Sequence, residues 1–119
     1  MSKINKEEVA ELIKDFKVQP LFNKVLITLN NHYEEGAIDL TGNVLSDLQY
    51  VIAKGGSVNQ LELGQKVIID IEKLMVPVRN EQSNTHEVSM QVKIDPIEVD
   101  GQVYAIIEDR VIKAIDNRD

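Results

Sequence analysis

Val88 to Ile115 is a series of short apolar runs cut by turn residues. Val88, Met90, Val92 and Ile94 alternate with Ser89, Gln91 and Lys93, the pattern of a half-buried strand. Ile97 to Val99, Asp100-Gly101 and Gln102 to Ile107 form a hairpin signature, because Asp-Gly accepts the backbone angles of a tight two-residue turn. Glu108-Asp109 then turns the chain into a last short strand, Val111 to Ile115.

The earlier part of the chain reads the same way. Pro20 stops helical continuation and pushes Gln19 extended, so Leu21 to Leu29 is expected as a strand. Val25, Ile27 and Leu29 fall on one face of it, Leu26 and Thr28 on the other. Leu48 to Lys54 is a second strand, ended by the turn Gly55-Gly56, and Lys66 to Ile71 is a third. Leu74 to Val78 continues past a bend, with Pro77 marking an edge, and Asn80 to His86 is a polar loop. Six to eight short strands separated by turns point to a mainly β fold, a small barrel or sandwich.

Only the opening reads as helix. Asn5 with Glu8 makes a capping box, and Ile4 with Val9 occupies the positions of a hydrophobic staple. Val9, Leu12, Ile13 and Phe16 then lie on one apolar stripe. Such a stripe packs either on its own domain or on a partner.

The chain of 119 residues is long enough for one domain with a real core. Its net charge of −7 disfavours a phosphate backbone or an anionic membrane as partner. The absence of cysteine removes disulfides, thiolate chemistry and cysteine metal sites, and is compatible with a cytoplasmic location. No apolar run is long enough to span a bilayer as a helix, and no leader pattern opens the sequence.

Charge is unevenly spread. Residues 1–30 hold five lysines against four acids, whereas 31–119 hold eight bases against sixteen acids. The stretch Asn30 to Asp47 is too long for an ordinary connection; from 31 onward it carries Glu34, Glu35, Asp39 and Asp47 and no Lys or Arg. It also holds Ile38, Leu40, Val44 and Leu45 between glycines and polar residues. Either these aliphatic side chains pack back on the sheet, or they form a linear segment that folds onto a partner.

Read in order, several segments resemble the GroES-type co-chaperonins. Val18-Gln19-Pro20-Leu21-Phe22-Asn23-Lys24-Val25-Leu26-Ile27 is similar to that family's opening strand. Gly36-Ala37-Ile38-Asp39-Leu40-Thr41-Gly42 resembles its mobile loop, where glycines flank an aliphatic tripeptide. Tyr50 to Gly55, Leu61 to Ile69 and Tyr104 to Ile115 resemble the strands that follow and close the fold. The likeness covers about 18–71 and 97–115. Residues 1–17 have no counterpart in the usual bacterial form, the roof hairpin is missing between Gly55 and Leu61, and 72–96 is longer than the corresponding region. Gln65 and Asp39 replace an Asp and an aliphatic residue. These departures resemble the divergent co-chaperonins of tailed phages.

The residues read as an N-terminal helical extension, 1–17, and the resemblance implies a GroES-like β-barrel domain, 18–119, with a long mobile loop at about 30–47. It implies a non-enzymatic co-chaperonin that caps a GroEL-type chaperonin ring in an ATP-dependent manner and assists protein folding, in the cytoplasm, or the host cytoplasm for a phage protein. Chaperonin contact would fall to Gly36, Ala37, Ile38, Asp39, Leu40, Thr41 and Gly42. In that family the first strand of one subunit pairs with the last strand of the next, giving a seven-membered ring. The matching interface residues here are Val18, Pro20, Leu21, Val111, Ile112, Ala114 and Ile115. The alternatives are a phage structural or adaptor protein, with the helix and 72–96 as contact surfaces, and an oligomeric module that binds an unrelated peptide.

Other chemistry is sparse. His32 and His86 are the only histidines, and they lack chelating spacing, so neither metal nor cofactor is expected. The adjacent acids Glu34-Glu35 and Glu108-Asp109 suit turns and solvent better than a catalytic pair. Gly55-Gly56 lacks the Lys-Ser/Thr of a phosphate loop. Tyr50 and Tyr104 fall in apolar strands, where packing is the default role.

Overall fold

A computed structural model describes residues 4–30, 46–79 and 88–118. Among them the chain forms one short helix, α1 (Lys6–Leu12), and eight strands: β1 (Lys24–Thr28), β2 (Leu48–Lys54), β3 (Lys66–Ile69), β4 (Met75–Arg79), β5 (Val88–Val92), β6 (Asp95–Val99), β7 (Gln102–Glu108) and β8 (Ile112–Ile115). Six of them make an antiparallel sheet in the order β6-β7-β1-β2-β3-β8. The sheet is open, with β6 and β8 as its edges. β4 and β5 pair separately as a two-stranded ribbon, the hairpin that the long 72–96 region builds. Pro77 sits where the sequence places it, in a ribbon whose strands are both edges.

The period-two reading of β1 holds in detail. Val25 and Ile27 join one buried cluster with Val51, Val67, Ile69, Ala105 and Ile107. Leu26 joins a second with Ile4, Val9, Ile52, Ala53 and Tyr104. The sheet is therefore covered on both faces. Ile52 and Ala53 are neighbours yet both face the second cluster. The β1–β2 register slips between Leu26/Ile27, so Ile52 is an extra residue without a Cα partner on β1 and the alternation resets.

The helix forms for the local reasons visible in its sequence. The Asn5 side chain accepts from the Glu8 backbone N–H at 2.9 Å, and the Glu8 carboxylate accepts from the Asn5 N–H at 3.4 Å. Val9 is fully buried, and Leu12, Ile13 and Phe16 pack on the same cluster. Phe16 meets Tyr104 edge to face with centroids 5.1 Å apart. The apolar stripe thus serves its own sheet. The Asp100-Gly101 turn is also as expected, with φ of 51° and 82° at its two central residues.

Several strand boundaries differ from the sequence reading, three of them because the chain turns. The first strand begins at Lys24, not Leu21, because Phe22 takes a left-handed φ of 57° and the chain turns there, with Lys24 N–H donating to the Leu21 carbonyl at 3.1 Å. Lys66 to Ile71 stops as a strand at Ile69: Asp70 N–H donates to the Val111 carbonyl at 2.8 Å, and Ile71–Leu74 is a 3-10 turn. The last strand begins at Ile112, since Asp109–Val111 is another 3-10 turn that buries Val111.

Gly55 explains the unusual Phe22 turn. Its amide donates to the Lys24 carbonyl at 2.8 Å and Ser57 N–H donates to the Phe22 carbonyl at 3.0 Å, so the two turns are laced together. A Cβ on Gly55 would overlap the Phe22 carbonyl oxygen and lie 2.7 Å from the Leu21 carbonyl carbon. Only glycine admits so close a backbone.

Candidate functional site

The proposed chaperonin-contact segment, Gly36 to Gly42, lies outside the described residues, as do His32 and His86. The ends of the long loop are described, and they are not loop-like. Asn30 and Ser46 are buried, so the stem closes inside the 30–47 boundary. Ser46 N–H donates to the Asn30 carbonyl at 3.0 Å. Gln49, fully buried in β2, sits over this junction. Its amide group donates to the Asn30 and Ser46 carbonyls, each at 2.8 Å. Its carbonyl oxygen accepts from Thr28 Oγ1 at 2.7 Å and from Asn30 N–H at 2.8 Å. The Asn30 side chain in turn holds the N-terminal segment: its Oδ1 accepts from Ile4 N–H at 2.8 Å, and its Nδ2 donates to the Ile4 carbonyl at 3.0 Å.

The proposed interface residues divide into two kinds. Pro20 and Val111 are buried in their own chain, and Val18 and Ile112 are half-buried against its core, which narrows the set available to a neighbour. Leu21 is 64% exposed, Ile115 is 37% exposed, and Ala114 is exposed. The sequence reading missed Phe22, which is 74% exposed on its left-handed turn. An apolar aromatic held in that backbone region, which is costly outside glycine, was hidden by its place inside an apparent strand.

β8 has one partner, β3, leaving its other side as a sheet edge. A groove of about 670 Å³ runs beside it, lined by Ser57, Val58, Leu61, Ile112, Ala114 and Ile115 among others. The chain after β8 is pinned. Asp116 accepts from Arg118 Nε at 2.8 Å, Nη2 at 3.0 Å and backbone N–H at 3.0 Å, with Lys66 Nζ 3.7 Å away. The Arg118 hydrogen bonds hold the Asp116 carboxyl well below the usual carboxylate range. Asp116 N–H also donates to the Lys66 carbonyl at 2.8 Å. This staple fixes the end of β8 against β3.

Tyr104 is a core residue, and burial raises its hydroxyl above the usual tyrosine range. Among the described residues no group of three or more His, Asp or Glu side chains converges on one point, and no helix is long and apolar enough to cross a membrane. The described surface offers a sheet edge at β8 with Ile115 exposed on it. Comparison with protein-family models and with curated proteins finds no match to this chain.

Proposed function

We propose that this chain is a GroES-type co-chaperonin, a ring-forming lid for a chaperonin chamber. The observation that carries the reading is the unpaired edge of β8 beside a groove of mixed polar and apolar lining, in a chain whose Leu21-Phe22 turn leaves two large apolar side chains in solvent. An exposed strand edge next to exposed apolar side chains invites pairing with another chain. A head-to-tail contact between copies, the first segment of one on β8 of the next, covers both features, and ring closure fixes the copy number. Seven copies are expected from the family resemblance, with the segment Gly36 to Gly42 of each subunit reaching for the chaperonin.

The loop chemistry supports recognition by an extended segment. In such a segment Ile38 and Leu40 point to one side and Asp39 to the other, so an apolar groove takes the two aliphatic side chains and leaves the acid in water. One loop binds weakly because ordering it costs several kcal/mol. A ring of loops gains on the order of 10²–10⁴ for each properly spaced link. The adaptor alternative takes the N-terminal helix and 72–96 as contact surfaces; the helix's apolar stripe is consumed by the chain's own sheet, which leaves that alternative the ribbon, where Met75 and Val92 are exposed.

Native mass spectrometry tests assembly, with a seven-fold ring as the expected mass. Ile115→Pro then tests which edge is used. Ala114 pairs with Ile68 and Asp116 donates to Lys66, so the alternation of an antiparallel ladder turns the Ile115 backbone groups away from β3. Proline there removes an outward N–H and spares the β3 ladder. We expect a folded monomer with a melting temperature within a few degrees of the parent; an intact ring would sink the β8 interface. Deleting Val111 to Asp119 is a poorer test, since it also removes Val111 from the core.

A further inference from the structure

We propose that the N-terminal segment is a brace for the loop stem, so that docking of α1 and closure of the Asn30–Ser46 junction form one cooperative unit. Two observations join them. Asn30 bonds its side chain to both backbone groups of Ile4, as a strand partner would. The backbone N–H and carbonyl of the same Asn30 bond to Gln49, and its carbonyl also receives Ser46 N–H. One residue therefore holds the helix lead with its side chain and the stem with its main chain. Ile4 itself is buried with Val9 and Leu26, so the lead cannot leave Asn30 without exposing apolar surface.

The consequence is energetic coupling. When α1 lifts, Asn30 loses both side-chain partners at a buried position, and unpaired buried amide groups are costly. The favourable response is for Asn30 to turn its side chain toward solvent, which draws its backbone from Gln49 and loosens the junction. Anything that binds or displaces α1 thereby sets how firmly the two ends of the 31–45 segment are held. The linkage is reciprocal: tightening the stem favours the docked helix.

Amide hydrogen exchange by NMR on the full chain tests this. Val9→Asp places a charge in the second cluster and is expected to undock α1. The brace predicts that the amides of Asn30 and Ser46 then exchange at least about tenfold faster, alongside Ile4 and Ile13, while Val25 and Ile107 in the sheet keep their protection. Faster exchange in the helix with unchanged Asn30 and Ser46 amides would overturn the proposal. Should Val9→Asp cost the sheet its protection too, Asn5→Ala carries the test, because the Asn5 side chain bonds to the helix cap and not to the stem. The same two readouts decide: joint acceleration supports the brace, and acceleration confined to the helix refutes it.

Discussion

Replacing Ile38 and Leu40 together by Ser is expected to abolish ATP-dependent co-sedimentation with a chaperonin ring, while ring size and melting temperature barely change. Each aliphatic side chain seated in an apolar groove contributes roughly 1.5–3 kcal/mol. In the proposed ring every loop would lose both, so a loss that is modest per loop multiplies across the assembly. The fold is expected to be indifferent because the hydrogen-bonded frame closes at Asn30–Ser46 without involving either residue. Asp39→Val is expected to leave binding unchanged or strengthen it, because alternation in an extended segment would turn residue 39 away from the side that Ile38 and Leu40 share. Normal co-sedimentation by the double variant, or its unfolding, removes the loop as the recognition element.

The second large effect concerns stability. Gln49→Leu keeps the side-chain volume nearly constant and removes four hydrogen bonds from a fully buried position. Asn30 N–H, the Ser46 carbonyl and the Thr28 hydroxyl proton lose this partner, whereas the Asn30 carbonyl keeps Ser46 N–H. At about 1–3 kcal/mol for each of the three buried orphans, the variant loses roughly 3–9 kcal/mol. Domains of this size have about 5–15 kcal/mol in total. Urea denaturation is expected to show the midpoint falling with its slope unchanged. A loss below about 1 kcal/mol would mean that water replaces the side chain and the junction is not sealed.

Much of the local structure was legible because its causes are local. Asn5, Glu8, Ile4 and Val9 name a helix start by spacing alone, and Asp100-Gly101 names its turn by backbone preference. Phe22 was illegible, because what bends the chain there is Gly55, more than thirty positions away. Ile71 and Val111 looked like strand residues since an aliphatic side chain buries as well from a 3-10 turn as from a strand. Gln49 carried a faint signal, a lone amide among Tyr50, Val51 and Ile52, yet its four partners come from two segments, Thr28 to Asn30 and Ser46, on either side of the long loop. Of the two segments proposed as an interface, Val111 to Ile115 runs into the edge strand β8 whereas Val18 to Leu21 belongs to no strand, and burial of Pro20 and Val111 depends on how their own chain closes over them.

The β4–β5 ribbon leaves and rejoins the body of the protein at nearly one point. Leu74 ends one 3-10 turn, and its carbonyl accepts from Lys93 N–H at 2.8 Å, so the two described strands of the ribbon leave and return across one closed rung. The strands between pair with each other and with no strand of the six-stranded sheet. A segment attached in this way behaves as a cassette. Its length costs the fold only the slowly growing entropy of a larger loop. It can be shortened to a tight turn, lengthened, or exchanged for a foreign hairpin, with the sheet order on either side of Leu74 and Lys93 left as it stands.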